Sequence, residues 1–92
     1  MSEIINLQAT FVPNKGEFFR VKLALEIAIE QVVEEDGCLQ YEVTEESDDK
    51  IVLTEQWASE AALAKHSKGI AVQDLNESLS ALLAEPVELV RR

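Results

Sequence analysis

Apolar and polar side chains alternate along residues 4–12. Ile5, Leu7, Ala9 and Phe11 share one side, and Asn6, Gln8 and Thr10 share the other. A period of two predicts a strand with one apolar and one polar face. Pro13-Asn14-Lys15-Gly16 ends it, because proline cannot donate to a ladder and glycine admits a tight turn. Residues 17–35 change to a helical period. Phe18, Val21, Leu25, Ala28 and Val32 recur at steps of three and four, with Ile29 alongside, and that stripe is the expected core face. Arg20, Glu26, Glu30, Gln31 and Glu34 fall opposite it. Leu23 and Ile27 fall there too, either as scattered surface apolar residues or as a further contact patch. Gly37 supplies the helix stop, since a left-handed backbone suits glycine.

Residues 38–45 alternate again, with Leu39, Tyr41 and Val43 on one side and Cys38, Gln40 and Glu42 on the other. Glu46-Ser47-Asp48-Asp49 is a turn cluster. Residues 50–57 form the next strand, with Ile51, Leu53 and Trp57 on one side and Val52 and Thr54 on the other. A strand with apolar residues on both sides is expected to be covered on both. Two helices cover one side of a sheet, so a partner chain is the economical cover for the second. Ser59 reads as a helix N-cap, with Glu60 in the positive first turn. Ala61-Ala62-Leu63-Ala64-Lys65-His66 favours helix, and Ser67-Lys68-Gly69 interrupts it. A further helix starts near Ile70, with Val72, Leu75, Leu79 and Leu82 in step. Pro86 closes that region, and Val87-Glu88-Leu89-Val90 reads as a short last strand. The order β-α-β-β-α-β predicts an α+β, ferredoxin-like antiparallel sheet with two helices on one face. It forms a single domain over residues 1–92.

Composition narrows the partners. The apolar share of 47% is that of a folding chain, and 92 residues bury a modest core. Eighteen acidic against eight basic residues leave a net charge of −10. Lys15, Arg20 and Lys22 are interleaved with Glu17 and Glu26, so neither a nucleic acid nor an anionic membrane is an expected partner. No apolar run nears the roughly 18 residues of a membrane span, and the first residues lack a signal-peptide pattern. One cysteine, Cys38, excludes an internal disulfide and suits a reducing, cytoplasmic setting.

Chemistry-bearing residues are sparse. No phosphate loop and no Gly-x-Gly-x-x-Gly run appears. The lone histidine and lone cysteine lack metal-ligand spacing, and no serine elbow accompanies the histidine. No cofactor and no metal is expected. His66 reads either as a base near neutrality or as a helix-end residue satisfying carbonyls. Trp57 reads as interface packing, as an aromatic wall, or as both. Glu55 in an apolar patch needs a partner or a raised pKa; a structural ion pair between subunits is its other reading. Tyr41 reads as core packing, and Cys38 as a small buried filler.

The runs Glu35-Asp36-Gly37-Cys38-Leu39-Gln40-Tyr41, Glu55-Gln56-Trp57-Ala58-Ser59 and Ala62-Leu63-Ala64-Lys65-His66 come in order, with His66 nine residues after Trp57. In that spacing the chain resembles the antibiotic biosynthesis monooxygenase family of small dimeric α+β-barrel proteins, quinol monooxygenases among them. The first strand ending at Pro13 and the closing Ala84-Glu85-Pro86-Val87 are similar as well. The resemblance implies a homodimer whose helix-free sheet faces pack together. By it, Ile51, Leu53, Glu55 and Trp57 point into the cleft between subunits, Val52 and Thr54 point at the helices, and Asn6, Gln8 and Thr10 add polar groups to the cleft. It also implies cofactor-free oxidation by O₂ of a small aromatic, quinol or quinone-like ligand. His66, Trp57 and Glu55 would be the catalytic residues, and Asn6, Gln8 and Leu53 would contact the substrate. An isomerase or degradation enzyme on the same scaffold, or a ligand-binding dimer without catalysis, are the alternatives. Relatives of the quinol type carry a second histidine five residues after the first, where this chain has Ala71, and haem-degrading relatives need a histidine on that later helix.

Overall fold

The computed structural model describes residues 3–92. The elements follow in the order β1 (Ile5–Phe11), α1 (Phe18–Val32), β2 (Cys38–Glu46), β3 (Ile51–Trp57), α2 (Glu60–Ser67), α3 (Ile70–Leu79) and β4 (Glu88–Arg91). The sheet is antiparallel throughout, with strand order β2-β3-β1-β4. The fold is the expected ferredoxin-like α+β arrangement, with the second helical segment split into α2 and α3 at Lys68-Gly69.

Local chemistry sets these boundaries. Gly16 and Gly37 take positive φ, +84° and +82°, which other residues adopt only under strain. Gly37 meets a second constraint, because a Cβ there would lie 2.4 Å from the Cβ of Ala62. The start of β2 therefore packs directly on α2. Ser59 caps α2, its hydroxyl accepting from the Ala62 N–H at 3.1 Å. On α1 the buried residues are Val21, Leu25, Ala28 and Val32, the stripe that the helical period marks. Leu23 and Ile27 stand on the opposite side, more than half exposed.

The register fixes which side chains share a face. Ile5 pairs with Trp57, Leu7 with Glu55, Ala9 with Leu53 and Phe11 with Ile51. All eight are buried, and they form one core with the α1 stripe and with Ala71, Leu75 and Leu79 of α3. This corrects the expected orientation of β3. Ile51, Leu53, Glu55 and Trp57 face the helices, while Val52 and Thr54 share the helix-free side with Thr10 and Gln8. The physical reason lies in β1, whose apolar side must meet the helices. Direct cross-strand partners share a side, so β3 has no freedom to differ. Val52 is already 4% exposed in the single chain, so its burial does not call for a second one.

A second correction concerns β2. Between Cys38 and Gln40 the β2–β3 register slips by one residue. The bulge places Cys38 opposite Trp57 and against the core, and leaves Leu39 51% exposed. Simple alternation had put Leu39 with Tyr41 and Cys38 opposite them. Bulges insert one residue on one strand and so reverse the alternation beyond them.

Candidate functional site

Among the described residues the buried carboxyl and imidazole groups are Glu55 and His66, each 5% exposed. Glu55 and Trp57 are two residues apart on β3 and so share a side. The Trp57 indole N–H donates to Glu55 Oε1 at 3.0 Å. His66 arrives from the last turn of α2 and lies flat on Trp57, with ring centroids 4.4 Å apart and planes inclined by 29°. Its Nε2 is 4.0 Å from the same Glu55 oxygen. Its Nδ1 is 2.9 Å from Glu35 Oε1. Glu35 follows α1 and precedes the Gly37 turn, which swings it under α2. Tyr41 sits directly across from Glu55 on β2 and meets the His66 ring edge-on at 5.5 Å.

Glu55, His66 and Tyr41 border a cavity of about 330 Å³ between the sheet and the α2–α3 corner. Leu7, Ala9 and Phe11 form its floor with Tyr41 and Glu55, and Leu63, His66, Val72 and Leu75 roof it. Val87 and Leu89 stand at the β4 side, where both are partly open to solvent. Among the described residues no side-chain nitrogen or oxygen is both sealed from solvent and unpartnered. Glu55 Oε2, His66 Nε2 and the Tyr41 hydroxyl have no hydrogen-bond partner, so each keeps some access to solvent, and all three residues line the cavity. The walls are otherwise mostly apolar. A small apolar chamber with a few convergent polar atoms is the usual form of a small-molecule site.

Electrostatics follow burial. Desolvation raises the pKa of Glu55, opposed by the Trp57 N–H and by the proximity of His66. Burial also raises that of Tyr41, with Glu55 adding to it, so the phenol stays neutral and can donate a hydrogen bond. Burial and then Glu35 push the Cys38 thiol up, away from the thiolate form that nucleophilic chemistry needs. The described residues include no group of three or more His, Cys, Asp or Glu side chains placed to hold a metal.

The structure thus brings together Glu55, Trp57 and His66, on the helix side of the sheet instead of in a cleft between subunits. Trp57, fully buried, backs His66 without lining the cavity. Leu53 belongs to the same core but lies outside the cavity wall. Asn6 and Gln8 are on the far side of the sheet, where Asn6 accepts from Gln56 at 2.9 Å and Gln8 accepts from Arg92. Ala71, at the position of the second histidine, is buried in the core. Sequence reasoning missed Glu35 as a site residue and saw Tyr41 only as packing. The sequence shows Glu35 only as an acid two residues before Gly37, which does not by itself mark a site.

The fold and this cavity define a small α+β domain with a partly open site between sheet and helices. The sequence model of the family described as antibiotic biosynthesis monooxygenase matches residues 4–78, and the chain belongs to that family. Among solved structures, Rv0793 from Mycobacterium tuberculosis is 25% identical, with a TM-score of 0.90 over 98% of this chain and 93% of that one. PA3566 from Pseudomonas aeruginosa is 26% identical, with a TM-score of 0.88 over 100% and 94%. A conserved protein from Methanosarcina mazei Go1 shares 21% identity and a TM-score of 0.89 over 97% and 90%, which shows a common fold. No curated protein matches. Among the described residues, no helix is long and apolar enough to cross a membrane.

Proposed function

We propose that the cavity binds a small electron-rich aromatic, such as an anthrone or a quinol, and that O₂ oxidises it there without a cofactor. The supporting observation is that His66, Glu55 and Tyr41, each with a polar atom left unpartnered, line one mostly apolar chamber. A volume of about 330 Å³ lies at the small end of the roughly 300–1,000 Å³ range of ligand sites, which suits a small fused-ring aromatic. Imidazole exchanges its proton near neutral pH. His66 Nε2 takes a proton from an activated CH₂ of the substrate, and the Tyr41 hydroxyl donates to the oxygen on which the resulting anion is delocalised. The anion passes one electron to O₂. The carbon radical and superoxide join as a peroxide, and the peroxide loses water to leave a carbonyl. For an anthrone the sum is R₂CH₂ + O₂ → R₂CO + H₂O, and all four electrons come from the substrate; a quinol loses an O–H proton to His66 instead and gives two electrons, QH₂ + O₂ → Q + H₂O₂. Apolar walls exclude bulk water from the anion.

O₂ uptake with a panel of anthrones and hydroquinones, with no flavin or metal added, tests the reading. Wild type consumes O₂, and His66→Ala loses about 10²–10⁴-fold, the usual contribution of a positioned base. Uptake no higher than background, or equal rates for the two proteins, overturns it. The same proposal includes a homodimer formed through the helix-free side of the sheet. Members of this family commonly dimerise, and Leu39 and Val90, exposed by 51% and 47%, leave apolar area outside the core. Sedimentation should give about twice the 10.3 kDa chain mass; a lone protomer at micromolar concentration removes that part.

A further inference from the structure

We propose that Glu35 is a positioning residue that fixes which nitrogen of His66 carries the proton. The inference rests on His66 being the base of the cavity. A neutral imidazole has one N–H and one lone pair, and the hydrogen bond at one nitrogen decides the role of the other. Free in water, the ring favours the Nε2–H form. In that form His66 would point a proton at the cavity and could take none from a ligand.

The surroundings of His66 reverse that preference. Glu35 Oε1 lies 2.9 Å from Nδ1, within hydrogen-bond reach, and a carboxylate only accepts. Nδ1 must then be the donor. Nε2 faces the chamber with a lone pair, because the nearer Glu55 oxygen is 4.0 Å away, beyond hydrogen-bond distance, and already takes the Trp57 N–H. The ring plane is held by the stack on Trp57 and by the Tyr41 edge. His66 borders two spaces, the inner cavity and an outer groove that Glu35 also lines. Its two nitrogens face opposite sides of that wall. Of the other charged groups at the outer rim, Asp36 and Lys65 pair with each other at 4.0 Å and are largely exposed, and Glu34 is exposed as well, so Glu35 is the carboxylate that meets the ring from outside.

His66 is the only histidine in the chain, so ¹⁵N-histidine labelling gives a single pair of ring signals. Long-range ¹H–¹⁵N correlation at a pH where the ring is neutral reads the tautomer directly, without substrate. Wild type should show mainly Nδ1–H. In Glu35→Leu the ratio of Nδ1–H to Nε2–H should fall by roughly tenfold or more, as expected for losing a hydrogen bond to a charged acceptor. Glu35→Ala removes the acceptor without adding an apolar side chain and should lower the ratio in the same direction, and it decides the matter if the leucine variant does not fold. Predominant Nε2–H in wild type overturns the assignment, and so does an unchanged ratio in a folded variant. A wild-type Nδ1–H signal in a protein that consumes no O₂ removes the proposed oxidation and leaves the role of Glu35 standing.

Discussion

The two sides of the sheet hold polar groups in opposite ways. On the helix-free side they are many: Asn6, Gln8, Thr10, Thr54 and Gln56, with Gln56 bonded to Asn6 at 2.9 Å and Thr44 to Thr54 at 2.7 Å. Water or a neighbouring side chain satisfies each, so none is expensive to place there. On the helix side they are few. Glu55 and His66 lie in a core of Leu7, Ala9, Trp57 and Leu75, where an unpartnered polar group costs a few kcal/mol, roughly 1–3 by mutational measure. Their positions are therefore set by neighbours, and the neighbours form a chain from Glu35 through His66 to Glu55 and Trp57. A polar residue on the open side says little by itself. One on the covered side implies a whole set of contacts and, beside a cavity, a chemical task.

The largest effect that sharpens this contrast belongs to Trp57. The side chain is fully buried, supports the ring of His66 and gives Glu55 its hydrogen bond. Trp57→Ala removes all three at once. Truncating a large buried aromatic costs about 3–5 kcal/mol, and the Glu55 carboxyl is left without its donor as well. That is a large share of the roughly 5–15 kcal/mol of a typical domain. Urea unfolding followed by far-ultraviolet circular dichroism measures it, since the substitution removes the only tryptophan. A loss under about 1 kcal/mol would mean that the covered side relaxes as easily as the open one, and the contrast would fail.

How much of this could be read from the chain follows from the same two sides. The element order and the α1 stripe were legible, because burial writes a period of three to four or of two into the sequence. The nine-residue step from Trp57 to His66 was legible too, as a spacing that resembles the family. The side to which β3 points was not. Val52 and Leu53 are both buried, so the pattern of β3 fits either orientation, and only pairing with the unambiguous β1 decides it. The bulge at Leu39 was equally hidden, since a one-residue slip leaves composition and spacing unchanged. Glu35 was legible as an acid near a helix end, which is common on surfaces. Its contact with His66 spans 31 residues and comes from how the Gly37 turn docks on Ala62, a tertiary fact without a local signature.

Adjacent residues on opposite sides give the finest test. Glu55 is held above the ordinary carboxylate range, chiefly by burial. The folded protein therefore binds more protons than the unfolded chain between the two pKa values, and stability falls as pH rises through that interval. Glutamine has no charge to bury and can still accept the Trp57 N–H. Glu55→Gln should match wild type below about pH 4, near the unfolded pKa. It should gain on wild type as pH rises through that interval and hold the advantage above the folded pKa. Gln56→Ala, one residue along, loses an uncharged bond to Asn6 and no ionisable group, so whatever its effect on stability, the shift from wild type should be the same at every pH. Thermal unfolding of the three proteins between pH 3.5 and 8 separates the outcomes. A pH-independent offset for Glu55→Gln, or wild type gaining as pH rises, would mean that the Glu55 carboxylate is better solvated in the folded chain than its place among Leu7, Tyr41 and Trp57 allows. The cavity would then be wetter than an anion-forming oxidation needs.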